Sequence, residues 1–216
     1  MEITWLGLSC FRLRSNDLAI VTDPFPDYDD LRMGEPRAMA VTISHQHTNH
    51  NHWEGVDGDP KVLRGPGEYE LSGIYITGIM SQAGEGDPAS KRNTVYLIEM
   101  DGLRLCHLGD VSSSLTNLQV EGLLPVDILF LPVGGGCTVE VPVAREMIHA
   151  LAPKLVIPMH YRVPGLSSDL KDLDVFLREM GLRALQPQAK LNATSTSLPP
   201  EMRVVILEAQ GLQDRV

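Results

Sequence analysis

A chain of 216 residues, 43% hydrophobic and 21% charged, is long enough to bury a core within one domain and has the composition of an ordinary globular protein. A formal charge of −10 repels polyanions and sets nucleic acid aside as an expected partner, and no apolar run reaches the roughly 18 residues that a bilayer span needs. Cys10, Cys106 and Cys137 lie far apart without CxxC spacing, so neither a disulfide framework nor a structural zinc ribbon is expected.

The N-terminal "MEITWLGLSCF" alternates like a strand and lacks the basic start and apolar centre of a secretory signal. Folded structure is therefore expected from the first residues, and the cytoplasm is the expected location. Short β-branched runs bounded by Gly, Pro and Asp predict strands at 18–23, 38–44, 73–79 and 93–100, then at 103–110, 126–133, 154–161 and 202–208. "GPGEYE" at 65–70 reads as a glycine-permitted turn opening a hairpin, and "GGGCT" at 134–138, which lacks the GK[ST] ending of a P-loop, as a tight turn bordering a cleft. Helices are predicted at 112–124, at 138–153, where Val143, Met147, Ile148 and Leu151 share a face, and at 167–181, between a Ser/Asp start and Gly181. A polar, proline-containing stretch at 186–201 reads as a surface loop. Strands dominate the first half and alternate with helices in the second, which suits two packed sheets with helices outside in a single domain over 1–216.

The stretch "SHQHTNHNH" at 44–52 places four histidines in nine residues directly after a predicted strand. Imidazole is the commonest protein ligand for transition metals. His45 and His47, at i and i+2 in an extended loop, point the same way and are suited to gripping one ion, which leaves His50 for a second. Asp110 ends the strand at 103–110 and has two oxygens with which to bridge ions; His160 ends the strand at 154–161. The bland alternative is a solvated polar loop, but further donors recur at later strand ends, where metal sites are commonly assembled. His107, three residues before Asp110, reads as a residue supporting the ligands rather than as one of them.

Taken in order, "ITWLGLSCFRL", "HQHTNH", "RGPGEYELSGIYITGI", "NTVYLIEMDGLRLCHLGD", "LPVGGGCTVE" and "KLVIPMHY" resemble the metallo-β-lactamase superfamily, and within it the small single-domain zinc-dependent hydrolases near the ascorbate-6-phosphate lactonase-like proteins. The resemblance implies a four-layer αββα sandwich with a metal site at one edge. It implies hydrolysis of a small ester, lactone, amide or phosphoester by metal-activated water. The ion would be zinc, with manganese or iron as alternatives, and a homo-oligomer is compatible with the resemblance. It assigns His45 and His47 to the first metal, His50 and His160 to the second, and Asp110 to both, with Asp110, His160 and Asn49 at the reacting centre.

The chain departs from the family pattern HxHxDH at Asn49, where an amide replaces a carboxylate that ligates metal and takes a proton. It also reads Met80-Ser81-Gln82-Ala83 where relatives carry a further histidine, and has Leu8 where many have histidine. About three protein donors then remain for each ion, with His52 and Cys137 as nearby additions; three suffice for a catalytic zinc site with an open position. Two readings follow, a metal-dependent hydrolase and a degenerate member kept as a binding or scaffold module.

Overall fold

The computed structural model describes residues 1–82, 92–166 and 169–212, which form two mixed sheets. The first sheet runs, edge to edge, β12 (Leu191–Asn192), β1 (Glu2–Gly7), β2 (Cys10–Ser15), β3 (Leu18–Thr22), β4 (Ala40–Ile43) and β5 (Lys61–Arg64). The second runs β13 (Arg203–Val204), β11 (Leu155–Met159), β10 (Ile128–Pro132), β9 (Leu103–His107), β8 (Arg92–Met100), β7 (Ile74–Gln82) and β6 (Gly67–Leu71). Each sheet joins an antiparallel meander to a parallel portion: β3, β4 and β5 in the first, and β9, β10, β11 and β13 in the second. Parallel strands are buried on both faces, and β4, β10 and β11 are correspondingly buried at every position.

Aromatic contacts tie the sheets together. Phe11 of β2 meets Phe130 of β10 with ring centroids 4.4 Å apart, and Trp5 of β1 lies 5.0 Å from Tyr161. Fully burying one such ring contributes on the order of 2–3 kcal/mol, so this layer between the sheets carries much of the stability. Polar links cross it too. The Tyr96 hydroxyl of β8 lies 3.1 Å from the carbonyls of both Ile43 and Leu63, fixing the ends of β4 and β5.

Three α-helices accompany the second sheet: α1 (Asn117–Leu123), α2 (Val141–Leu151) and α3 (Leu173–Glu179), with α2 packed on β10 and on α3. α1 opens with a capping box in which the Gln119 backbone N–H donates to Thr116 Oγ1 and the Thr116 N–H donates to Gln119 Oε1. On the first sheet's side the described residues contain only two 3₁₀ turns, Thr48–His50 and Trp53–Gly55. No helix among the described residues is long and apolar enough to cross a membrane. The α/β sandwich expected from the sequence is the observed architecture, although its helical layers are unequal.

Several boundaries differ from expectation for identifiable reasons. The helix predicted over 167–181 begins only at Leu173, because the Lys171 N–H donates to the Gly134 carbonyl and the Arg162 N–H donates to the Lys171 carbonyl, holding that segment extended. Residues 167 and 168 lie outside the described set. The strand predicted at 103–110 stops at His107, where the chain turns through Gly109 at φ +58°. The last strand shrinks to Arg203–Val204.

Candidate metal centre

Five buried strands deliver polar side chains from their carboxyl ends into one region between the sheets: Asp23 after β3, Ser44 and His45 after β4, Asp110 after β9, Cys137 after β10 and His160 after β11. Open α/β sheets bind ligands at such ends, because there the chain leaves the ladder and its side chains converge. Two glycines allow the close approach. A side chain at Gly109 would strike Asn93 Oδ1 and Ser44 Cβ at 2.4 Å, and one at Gly134 would strike the His160 carbonyl at 2.2 Å.

Asp110 is the hub. Its Oδ2 lies 3.2 Å from His50 Nε2 and 3.8 Å from His45 Nε2, and its Oδ1 lies 3.7 Å from His160 Nδ1. The Cys137 thiol approaches Oδ2 at 3.9 Å. Two overlapping donor groups result, His45–His50–Asp110 and Asp110–Cys137–His160, each with its ligand atoms mutually within 4.8 Å. Asp110 belongs to both.

Burial and charge set the protonation states. Burial opposes a charge on His50, but Asp110 on one ring nitrogen and Asp23 on the other outweigh it and push the imidazole up to about 10. Burial lowers His45, to about 4, aided by the charge of His50, and burial also lowers His160. Asp110 resists ionisation by burial, yet His160, His50 and His45 around it hold its carboxyl far below the usual carboxylate range. Burial and then Asp110 push the Cys137 thiol up to about 12. Without metal, the proton on His50 supplies the cation that two buried carboxylates require.

The donors fit a transition-metal ion. Asp110 Oδ1 and His160 Nδ1 are sealed from solvent, face each other and lack any hydrogen-bond partner. Unpaired buried polar atoms are costly, whereas nitrogen and oxygen ligands of one tetrahedral zinc stand about 3.3 Å apart. Imidazole, carboxylate and thiol are the donor types that zinc prefers, and iron accepts them also.

The structure brings His45, His50, Asp110 and His160 together and leaves the other sequence candidates nearer the rim. His47 is exposed and belongs to neither donor group; its Nδ1 accepts from the Asn49 backbone N–H at 3.3 Å. His45 is nearer to His50 than to His47, with ring centroids 4.2 Å against 6.0 Å apart, because Thr48–His50 winds into a 3₁₀ turn instead of continuing extended. Asn49 lines the cleft beside His160, and His52 lies against Gly55. His107 is fully buried, with Nε2–H donating to the Ser9 carbonyl at 2.8 Å and Nδ1 accepting from Gly109 N–H, so both its nitrogens are used. Ser81, within the stretch where relatives carry a further histidine, accepts from Asn93 Nδ2 at 2.8 Å.

Two supporting residues escaped sequence reasoning. Asp23 is fully buried: its Oδ2 contacts His50 Nδ1 at 2.9 Å and accepts from Ser44 Oγ at 2.6 Å, while its Oδ1 accepts from Ser44 N–H at 2.7 Å. Asn93 is fully buried too, donating to Leu108 O at 2.8 Å and accepting from Asp110 N–H at 3.1 Å. The available signal was cost, since an Asp or Asn set against an all-apolar run must find partners inside the fold.

The family model described as a beta-lactamase superfamily domain matches residues 2–160, a span that runs from β1 to His160 and holds every residue of the site. A UPF0173 protein of Pyrococcus furiosus is 30% identical over 208 residues, covering 86% of this chain and 93% of that one. A UPF0173 metal-dependent hydrolase of Lysinibacillus sphaericus is 23% identical over 227 residues, covering 89% and 99%. A crystal structure from Thermotoga maritima, provisionally assigned as a Zn-dependent hydrolase of the metallo-β-lactamase superfamily, superposes with a TM-score of 0.79 at 35% identity, covering 95% of this chain and 97% of the other. With family match, sheet topology and strand-end donors in agreement, the chain belongs to the β-lactamase superfamily domain family, alongside the UPF0173 proteins.

Proposed function

We propose that this protein is a metal-dependent hydrolase of a small ester, lactone, amide or phosphoester. The observation that carries the reading is the pair of buried, partnerless atoms Asp110 Oδ1 and His160 Nδ1, set 3.7 Å apart beside a cleft. His45, His50, Asp110 and His160 would hold the ion, with His47 and Cys137 as rim donors, and zinc suits that set best. A bound divalent ion supplies Lewis-acid polarisation of the scissile bond and acidifies water.

The chain's own residues do the positioning. Asp23 fixes the ring of His50 through Nδ1 and thereby aims Nε2 at Asp110; Asn93 pins the turn that carries Asp110. Asn49 has no ionisable group, so its role is a hydrogen bond to the substrate and no proton passes through it. A second reading, a binding module with a weakened site, is favoured by that same amide, which adds no negative charge where the family pattern has a carboxylate.

Elemental mass spectrometry on untagged protein purified without chelators tests the proposal, with Asp110→Ala and His160→Ala beside it. At least one equivalent of transition metal is expected in the wild type, lost in Asp110→Ala, with circular dichroism unchanged. No metal after zinc is supplied, or wild-type turnover in either variant, would sink the hydrolase reading.

A further inference from the structure

Beside His160 lies an open cleft of about 550 Å³, within the size range of small-molecule sites. One wall is apolar, built by Leu8, Leu166 and Leu170, each under 10% exposed, with Tyr28 beside them. Leu8 sits there in the left-handed region at φ +49°, which L side chains rarely adopt. Its backbone is over-determined: the Leu8 carbonyl accepts from Trp5 Nε1–H and from the His160 N–H, both at 3.0 Å. The backbone that holds His160 in place thus also holds an apolar side chain on the cleft. A strained residue kept by its surroundings at a site points to a use for the side chain it presents.

The charge pattern is one-sided. No lysine or arginine lines the cleft among the described residues, and its exposed carboxylate is Asp169. Cations do occur on the segments that bear the lining residues, but each carries an acidic partner: Arg32 with Asp27 at 3.2 Å, Arg162 with Asp172, and Lys171 with Glu140. Among the lining residues a phosphoryl group would meet Asp169 and no guanidinium or ammonium, so its charge would rest on the bound ion alone.

Resting on the hydrolase reading above, we infer that the substrate is a neutral carboxylic ester or lactone whose apolar chain lies against Leu8, Leu166 and Leu170. In the reaction a water oxygen bonds to the acyl carbon, the C–O bond to the alkoxide oxygen breaks, and a water proton passes to that alkoxide, giving a carboxylic acid and an alcohol from an ester, or a single hydroxy acid from a lactone. Esters suit this site better than amides, because expelling an amine requires a proton delivered to nitrogen and Asn49 has none to transfer.

The test separates chain preference from catalysis. Saturation-transfer NMR on zinc-loaded protein compares hexanamide with hexyl phosphate, which share a chain and differ in the head group. Hexanamide is expected to bind at least tenfold more tightly, and Asp169→Lys to improve hexyl phosphate binding about tenfold. In parallel, 4-nitrophenyl hexanoate is expected to exceed 4-nitrophenyl phosphate at least 100-fold in kcat/KM. Leu8→Asn, a substitution that the left-handed backbone tolerates, should cut selectivity for hexanoate over acetate about tenfold. Equal or tighter binding of hexyl phosphate, or no binding of hexanamide, overturns the inference even if an ester is turned over. Tight hexanamide binding without cleavage of any ester overturns the hydrolase reading, leaving the apolar cleft as a binding site.

Discussion

Asp23 Oδ2 lies 2.9 Å from His50 Nδ1, and both side chains are sealed from solvent. The contact fixes the ring so that Nε2 faces Asp110, and in the proposed metal site it would raise the basicity of that nitrogen. Asp23→Asn keeps the shape and removes the charge, and asparagine accepts the positive φ of +41° at this position. Metal affinity is expected to fall by about 10- to 100-fold. A competitive chelator titration checks it; an unchanged affinity would show that His50 does not depend on Asp23.

His107 serves as the contrasting case, since its two nitrogens are occupied by Ser9 O and Gly109 N–H. His107→Leu removes one of two donors to the buried Ser9 carbonyl, Thr22 Oγ1–H remaining at 3.1 Å, and takes the acceptor from the Gly109 N–H, which should cost about 1–3 kcal/mol of stability. Metal stoichiometry should stay at the wild-type level. Urea unfolding paired with elemental analysis reads both quantities, and a loss of metal without loss of stability would make His107 a ligand.

His45, directly after one predicted strand, and Asp110 and His160, which end two others, were legible because an apolar β-branched run announces its own end, and the fold class followed from the same runs. Asp23 ends a predicted strand as well, yet neither it nor Asn93 stood out, because their value lies in partners 27 and 17 residues away that only the tertiary fold brings near. The closer approach of His45 to His50 than to His47 was hidden for a local reason. A period of two applies to extended backbone, and Thr48–His50 is a 3₁₀ turn that carries His50 under His45. The start of α3 was misplaced because Lys171 is held by Gly134, a contact with no sequence signature.

Asn49→Asp tests whether the amide weakens the site. The substitution is nearly isosteric, and a carboxylate there adds a negative charge beside His160 where the wild type offers only a dipole. Zinc affinity is expected to rise about tenfold. If ester hydrolysis appears only in the variant, the wild-type protein is a binding module; if the wild type is already active and the variant shifts only affinity, Asn49 is a working part of the site.

Metal-stripped protein should show a stability maximum near pH 6.5. His50 is raised from 6.5 to about 10, so its contribution is fully present below pH 6.5 and is lost as pH climbs towards 10, where the folded state must also surrender the proton. On the other side, His45, lowered to about 4, and His107 and His160, also lowered, stay neutral in the fold while the unfolded chain takes up protons below pH 6.5, which drains stability as pH falls. Asp23 and Asp110 are held low and withdraw their contribution only as pH drops below 3.8, outside this window. Each proton involved changes stability by roughly 1.4 kcal/mol per pH unit. Urea midpoints from pH 4.5 to 8.5 on chelator-treated protein should therefore decline in both directions, a range that stops short of the pH at which the Cys10, Cys106 and Cys137 thiols, all pushed up in the fold, add a loss of their own. His50→Gln should flatten the alkaline limb and spare the acidic one. A wild-type alkaline limb that is already flat would mean that His50 carries no proton between Asp23 and Asp110.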